Sequence, residues 1–397
     1  MKDLRRRFER VFGAGAEVRT YFAPGRVCFL GDHLDYNGGT VLSFALPMGV
    51  YAAARTRDDD LLRLYSEHVP DCVVEHRRQK SVEIPWSRYP VGVYERLDEI
   101  LPRGESLPGA DLYYASTLPV GAGLSSSAAL EVVTAFALLH PRLGSKLDRI
   151  EVARLCKRVE NDFVGVNCGV MDQFSVALAR KDQFLRIDCS DESHDFVASR
   201  LENTVVVVMN SNVPRALRES KYNQRRGECE AALAALRESG LRLRFLAEAR
   251  PEHASQADLP AHLQRRVRYV AEEQARVREC VAALERGDAF AVGKLMNHSH
   301  EGLKNLYEVT GKHLDALCDA ARQAEGCYGA RMTGAGFGGC AVALVAAGAE
   351  NDFIARVRES YRRQTQVEPE FYCAVPCDGA RPLDQDRPAA EQTPKSF

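Results

Sequence analysis

Residues 118–128, Leu-Pro-Val-Gly-Ala-Gly-Leu-Ser-Ser-Ser-Ala, constrain the fold of this chain more than any other stretch. Before them, Ala110–Leu118 alternates as a strand does and stops at Pro119. After them, Ala128–Leu139 places apolar residues at the helical period among strong helix formers. The order is therefore strand, Gly/Ser loop, helix. Glycine lets the backbone turn sharply and lets a ligand approach the amides. Serine caps the helix and contributes hydroxyls. The helix start supplies unpaired N–H groups and the positive end of the dipole, which suits a phosphate. No Gly-Lys-Ser/Thr follows, so this is not a Walker A loop. The plain alternative is a glycine turn with a serine cap.

The rest of the chain is mixed. Strand patterns dominate residues 20–120, with Arg26–Leu30 and Thr40–Leu46 flanking an Asn37-Gly38 turn signal. Gly49–Asp58, Leu61–Ser66 and Cys72–His76 continue them. A second helix fits Leu147–Phe163. Strands return at Phe184–Cys189 and Thr204–Met209. Charged helices fill Lys221–Asp319 around a Pro251–Pro260 loop. Strands follow at Tyr328–Thr333, Cys340–Ala346 and Glu370–Val375. Such a pattern favours α+β over a doubly wound sheet. A length of 397 residues exceeds what one core usually supports, so two domains are expected. The polar stretch Ser190–His194 divides them near residue 195, giving 1–195 and 196–380, with a loose tail over 381–397.

Composition excludes several classes. With 45% hydrophobic and 27% charged residues, wholesale disorder is ruled out. A net charge of −2 argues against binding nucleic acid or membrane by bulk electrostatics. No apolar run is long enough for a membrane span, and no secretory signal is apparent. Leu4, Phe8, Val11 and Phe12 share a helical face, so the basic start reads as an amphipathic helix on the first domain. The twelve cysteines show no metal or disulfide spacing, as expected of reduced thiols in a cytoplasmic protein.

Three further segments carry chemistry. Gly334-Ala-Gly-Phe-Gly-Gly339 matches G-x-G-x-x-G, but strands flank it, which is the wrong context for a Rossmann turn. Arg26 with Asp32, His33 and Asp35 crowds polar groups around a turn, which suits a polyol or simply a tight turn. Glu160 on a helix and Asp172 after a glycine loop are two carboxylates that can divide labour between a cation and a proton.

In order and spelling these segments resemble the GHMP small-molecule kinases, and within them the galactokinases. The resemblance rests on Ala23-Pro-Gly-Arg-Val27 with Gly31-x-His-x-Asp-Tyr36, on Leu118–Ser127 and on Gly329–Cys340. Asn167–Gln173, Asn210-Ser-Asn-Val213 and Lys221-Tyr-Asn223 add to it. It implies an N-terminal domain like domain 2 of ribosomal protein S5, a ferredoxin-like C-terminal domain and a site in the cleft between them. It implies ATP-dependent phosphorylation of the C1 hydroxyl of galactose. By position, Asp172 matches the catalytic base and Arg26 its neighbouring arginine. Ser127 and Glu160 match magnesium ligands. Gly121, Ala122, Gly123, Leu124, Ser125, Ser126 and Ser127 match the nucleotide loop. Asp32, His33, Asp35, Gly169, Asp172 and Tyr222 match sugar-binding positions. The expected ligands are a sugar, ATP and Mg²⁺, and the expected state is a monomer or weak homodimer.

Some residues depart from the resemblance. Galactokinases usually carry Glu where Asp32 stands, at the position that meets the sugar's C6 hydroxyl. Cys28-Phe29 replaces Asn-Leu, and Pro47-Met48 also differ. Arg26-Val-Cys with Gly31-x-His-x-Asp35 has some likeness to galacturonate kinases. A carboxylate at Asp32 would repel a uronate. Galactose is the favoured acceptor. The alternatives are another hexose or uronate 1-kinase, or a non-catalytic sugar and ATP sensor.

Overall fold

The computed structural model describes residues 3–102, 104–105, 107–119, 121–213, 218–256 and 258–383. Helix α1 (Leu4–Phe12) buries Leu4, Phe8 and Phe12 against Val18, Ala53, Tyr113 and Ala115, as its amphipathic spacing predicts. Strands β1 (Arg19–Leu30) and β2 (Thr40–Thr56) form a long antiparallel pair. Its register shifts between Pro24 and Arg26, and again between Cys28 and Leu30. Residues 31–39, with the expected Asn37-Gly38 turn at Gly38 φ 68°, form the loop at the end of this hairpin. β3 (Leu62–Ser66), β4 (Val69–His76) and β5 (Ala110–Ser116) extend the sheet, β3 lying parallel to β5. Between β4 and β5 runs helix α2 (Arg88–Arg96). Pro90 and Gly92 hide this helix from pattern reading. Val91, Val93 and Tyr94 nevertheless bury completely, and tertiary packing overrides propensity.

The Gly/Ser loop leads into α3 (Ser126–Leu143), then α4 (Arg149–Arg158). The expected helix over 147–163 changes pitch at Val159, where Val159–Val164 widens into a π turn that carries Glu160. Gly92 lets α2 approach that turn, since a Cβ there would sit 2.6 Å from Val159 Cγ1. α5 (Met171–Leu178), β6 (Gln183–Asp188) and β7 (Ser193–Ala198) complete this half. β7 is polar and gives no strand signal, and it forms by pairing along β6.

The second half builds a separate four-stranded sheet. β8 (Thr204–Asn210) is followed by helices α6 (Arg218–Glu238), α7 (His253–Gln256), α8 (Ala261–Arg286), α9 (Ala289–Gly302) and α10 (Lys312–Gln323). A further π turn, Leu303–Tyr307, follows α9. β9 (Cys327–Thr333), β10 (Cys340–Ala346), α11 (Glu350–Thr365) and β11 (Glu370–Ala374) close it. The antiparallel order β11-β8-β10-β9 with helices after β8 and β10 is the β-α-β-β-α-β arrangement of ferredoxin-like domains. α9 lies close on β9 because Gly293 and Gly329 face each other; a Cβ on Gly293 would meet Tyr328 O at 2.1 Å.

The α+β class holds. The expected division at 195 falls inside β7, whose pairing keeps it in the first sheet, so the change of sheet lies at 199–203. The expected tail begins with β12 (Arg381–Pro382), which pairs with Tyr21 and Phe22 of β1; its residues 384–397 lie outside those described, as does Val120. None of the twelve cysteines is paired in a disulfide, and six are buried. No helix among the described residues is long and apolar enough to cross a membrane.

Candidate active site

A cavity of about 620 Å³ gathers most of the residues singled out from sequence. It is lined by Arg26, Asp32, His33, Asp35, Gly121, Gly123, Ser125, Ser126, Ser127, Glu160, Asp172 and Tyr222. Gly334 and Ala335 of the β9–β10 loop reach it from the other sheet, so the cleft between the halves is where the resemblance placed it. Ala122, Leu124 and Gly169 do not line it. Ala122 and Leu124 are buried in the apolar core and anchor the loop from behind. Gly169 packs beneath Asp35, where a Cβ would fall 2.1 Å from Asp35 Oδ2.

Arg26 and Asp172 form the centre. The register shift after Pro24 turns Arg26 into the cleft, and the first turn of α5 presents Asp172. Arg26 Nε donates to Asp172 Oδ1 at 2.7 Å, and Nη2 lies 2.7 Å from the same oxygen. Arg26 Nη1 donates to Gly123 O at 3.0 Å, and the Arg26 amide donates to Leu124 O at 3.2 Å. The other Asp172 oxygen accepts from Ser125 Oγ at 2.6 Å. Ser125 is the residue before α3, yet it makes no side-chain cap. Its φ of 60° directs the hydroxyl to Asp172 instead, which corrects the expected capping role. Without that cap, the start of α3 keeps its amides and positive dipole end at the cavity.

Glu160 and Ser127 both line the same cavity, with the Ser127 hydroxyl within hydrogen-bond reach of the Glu160 carboxyl. Burial, and then the Asp172 charge, push the Glu160 carboxyl up to about 7, while the Ser127 hydroxyl holds it back. Gln173 donates from Nε2 to Glu160 Oε2 at 2.6 Å and lies 3.4 Å from Glu131 Oε2. Glu131 is fully buried, and burial drives its carboxyl well up. No cluster of three or more His, Cys, Asp or Glu side chains suited to a metal occurs among the described residues. One carboxylate and one hydroxyl do fit Mg²⁺, which keeps waters and takes substrate phosphate oxygens rather than an all-protein cage.

Burial, then Asp172, also raises Asp35, to about 6. A carboxyl whose pKa is raised on folding binds its proton more tightly in the native state. Stability is therefore present near pH 4 and is lost as pH rises toward the folded value. Forcing ionisation of a group titrating near 7 costs on the order of 3 kcal/mol. The melting temperature of the ligand-free protein is expected to fall between about pH 5 and pH 7. Glu160→Gln should make that fall shallower, and an unchanged slope in the variant would exclude Glu160 as its source.

The 31–39 loop occupies another wall. His33 has φ 67°, and its Nδ1 lies 2.9 Å from Tyr36 Oη, which in turn lies 2.8 Å from Tyr307 Oη. Tyr222 packs its ring against His33 and Tyr36. Asp32 is 1% exposed and is already engaged. Its Oδ2 pairs with Arg331 Nη2 at 2.7 Å, and its Oδ1 accepts from the Gly334 amide at 2.8 Å. Arg331, itself fully buried, also donates to the carbonyls of Cys28 and Phe29 and sits 3.9 Å from Glu273. The glycine loop thus supports the 31–39 loop from below. Gly334, Gly336, Phe337, Gly338 and Gly339 all have positive φ, which explains the glycine density of a hairpin rather than a dinucleotide turn.

Sequence reasoning missed Arg331, Gln173, Glu131 and Glu273. Arg331 and Gln173 stand inside quoted motifs, and Glu131 stands one helical turn after Ser127, a spacing that puts both on one face. Glu273 gives no local signal.

Family models match in three places: the galactokinase galactose-binding signature over residues 6–56, the GHMP kinase N-terminal domain over 88–180 and the GHMP kinase C-terminal domain over 253–363. The galactokinase of Streptococcus thermophilus is 40% identical over 391 residues, covering 96% of this chain and 99% of that protein. The galactokinase of Halalkalibacterium halodurans is 40% identical over 385 residues, covering 95% and 96%. The crystal structure of Lactococcus lactis galactokinase complexed with galactose superimposes with a TM-score of 0.90 at 35% identity, covering 96% of this chain and 99% of that one. A mevalonate kinase structure with TM-score 0.63 and 18% identity shares the fold alone. Near-full-length identity at this level, with both halves and the galactose-binding signature matched, makes the chain a member of the galactokinase family of GHMP kinases.

Proposed function

We propose that this chain is an ATP-dependent sugar 1-kinase that phosphorylates the C1 hydroxyl of D-galactose. The observation that carries the reading is the Arg26-held Asp172, which shares one cavity with the α3 amide loop and with the His33–Asp35 loop. Phosphoryl transfer needs positioning and charge neutralisation more than covalent chemistry. Asp172 accepts the proton of the attacking hydroxyl, and Ser125 can turn its own hydroxyl away to free that oxygen. Arg26 holds Asp172 in place through its ion pair and hydrogen bond. The backbone of Gly121–Ser127 receives the phosphates, with Ala122 and Leu124 fixing it to the core. Ser127 and Glu160 would hold Mg²⁺, which when bound neutralises charge on the phosphates. Asp32, His33, Asp35 and Tyr222 form the sugar wall, and Gly169 leaves room for Asp35.

The state proposed for this chain is a monomer or weak homodimer. Cysteines held outside disulfides suit a reducing cytoplasm. The presence of Arg26, Ser127, Glu160 and Asp172 together favours an enzyme over a sensor. One observation keeps a second acceptor in view. Arg331 neutralises Asp32, so the wall carries an ion pair rather than a bare carboxylate, and repulsion of a C6 acid is weaker than the sequence implied. ATP consumption with galactose, galacturonate, glucose, N-acetylgalactosamine and arabinose tests the assignment. Galactose is expected to give the highest kcat/KM. A higher value with any other sugar would replace it.

A further inference from the structure

Behind Glu160 lies a fully buried polar cluster that the mechanism leaves unused. Gln173 follows Asp172 in the first turn of α5 and is completely buried. Its single amide group faces two carboxylates from different elements: Glu160 of the π turn at 2.6 Å and Glu131 of α3 at 3.4 Å. A side-chain NH₂ has two hydrogens, so one amide can serve both acceptors. An apolar side chain here would leave two carboxylates facing each other with no donor between them. Glu131 Oε1 and Gln173 Oε1 have no hydrogen-bond partner among the described residues, while Ser127 and Cys168 also reach Glu160 and Gln173 Nε2 lies 3.9 Å from Cys168 Sγ, so Gln173 is what links Glu160 to Glu131. α3 carries both Ser127, which borders the cavity, and Glu131, which closes the cluster one turn later. α5 likewise holds Asp172 directly and Glu160 through Gln173.

We infer that Gln173, anchored by Glu131, is a positioning residue that fixes the Glu160 carboxylate in the orientation met by the divalent cation of the bound nucleotide. The inference rests on the reading of Glu160 as a cation-binding residue. Outer partners of metal-binding carboxylates orient them, and losing such a partner lowers metal affinity by about 10–100-fold.

The test is Mn²⁺ binding in the presence of a non-hydrolysable ATP analogue, followed by electron paramagnetic resonance of free Mn²⁺, alongside calorimetry with galactose alone. Gln173→Met, which keeps the volume and removes both hydrogen bonds, is expected to weaken Mn²⁺ binding about tenfold while leaving galactose affinity unchanged. Glu131→Leu should do the same, and Glu131→Gln, which retains an acceptor oxygen, should stay within about twofold of the parent. If Gln173→Met does not fold, Gln173→Asn, polar and one methylene shorter, carries the same expectation. Parent-like Mn²⁺ affinity in the Gln173 variant, with weakened binding in Glu160→Gln, overturns the inference and keeps the cation reading. Unchanged affinity in Glu160→Gln overturns both. Equal losses of Mn²⁺ and galactose affinity would mark the role as structural and also overturn it.

Discussion

Asp172→Asn is expected to lower kcat by about 10²–10⁴-fold, the usual loss when a positioned general base is removed. Asparagine keeps the shape and an acceptor oxygen for Arg26 Nε, and Gly123 O still holds Nη1, so the arginine stays in place. What disappears is the ability to take a proton. Galactose affinity, measured by calorimetry, should change little, which separates a lost chemical step from a lost pocket. Turnover near that of the parent would remove Asp172 from the proton path. A proportional loss of sugar binding would instead make it a binding group.

The largest expected effect on stability comes from Arg331→Met. Arg331 and Asp32 are an almost wholly buried pair, and removing one partner strands the other's charge. Breaking such a pair costs about 3–5 kcal/mol. Glu273 suffers less, because Arg276 and Ser299 also hold it. Urea unfolding of Arg331→Met should show this loss, and adding Asp32→Asn should recover much of it because no unpaired charge remains. If the double variant is no more stable than the single one, the charge pair is not the source. The single variant also tests the sugar wall. An unchanged preference between galactose and galacturonate in both Arg331→Met and Asp32→Ala would rule out contact between this pair and the C6 group.

The sequence made the cavity wall legible and left its supports hidden, for a definite reason. Asp32, His33 and Asp35 lie in one turn, and Gly121–Ser127 in another, so local spelling displays them. Their fixings come from far along the chain: the Gly334 amide reaches Asp32 across 302 residues, and Gly31 donates to Glu273 across 242. No local pattern records such a distance. Ser125 shows a related limit, since its place before α3 predicts a cap while its backbone angle sends the hydroxyl to Asp172. The fold divides in the same way. Helices with clean periodicity, such as α3, and strongly apolar strands such as β8 and β10, are visible in the residues. α2, broken by Pro90 and Gly92, and the polar β7 exist because neighbours recruit them.

The return of the chain to its first sheet has a consequence for synthesis. Cys377 bridges to Ala45, Arg149 Nη1 donates to Ala380 O, and Leu383 donates to Thr20 O. The first half is thus discontinuous, and the second is inserted between Ala198 and Cys377. A ribosome delivers β1 early and its β12 partner only after the whole second half. At about 5–20 residues per second the stretch inserted between Ala198 and Cys377 alone takes on the order of 10–40 s. Through that interval the Tyr21–Phe22 edge has no β12 to cover it, although the residues of the phosphate loop have already emerged. The nascent chain therefore carries an open strand edge until β12 leaves the ribosome.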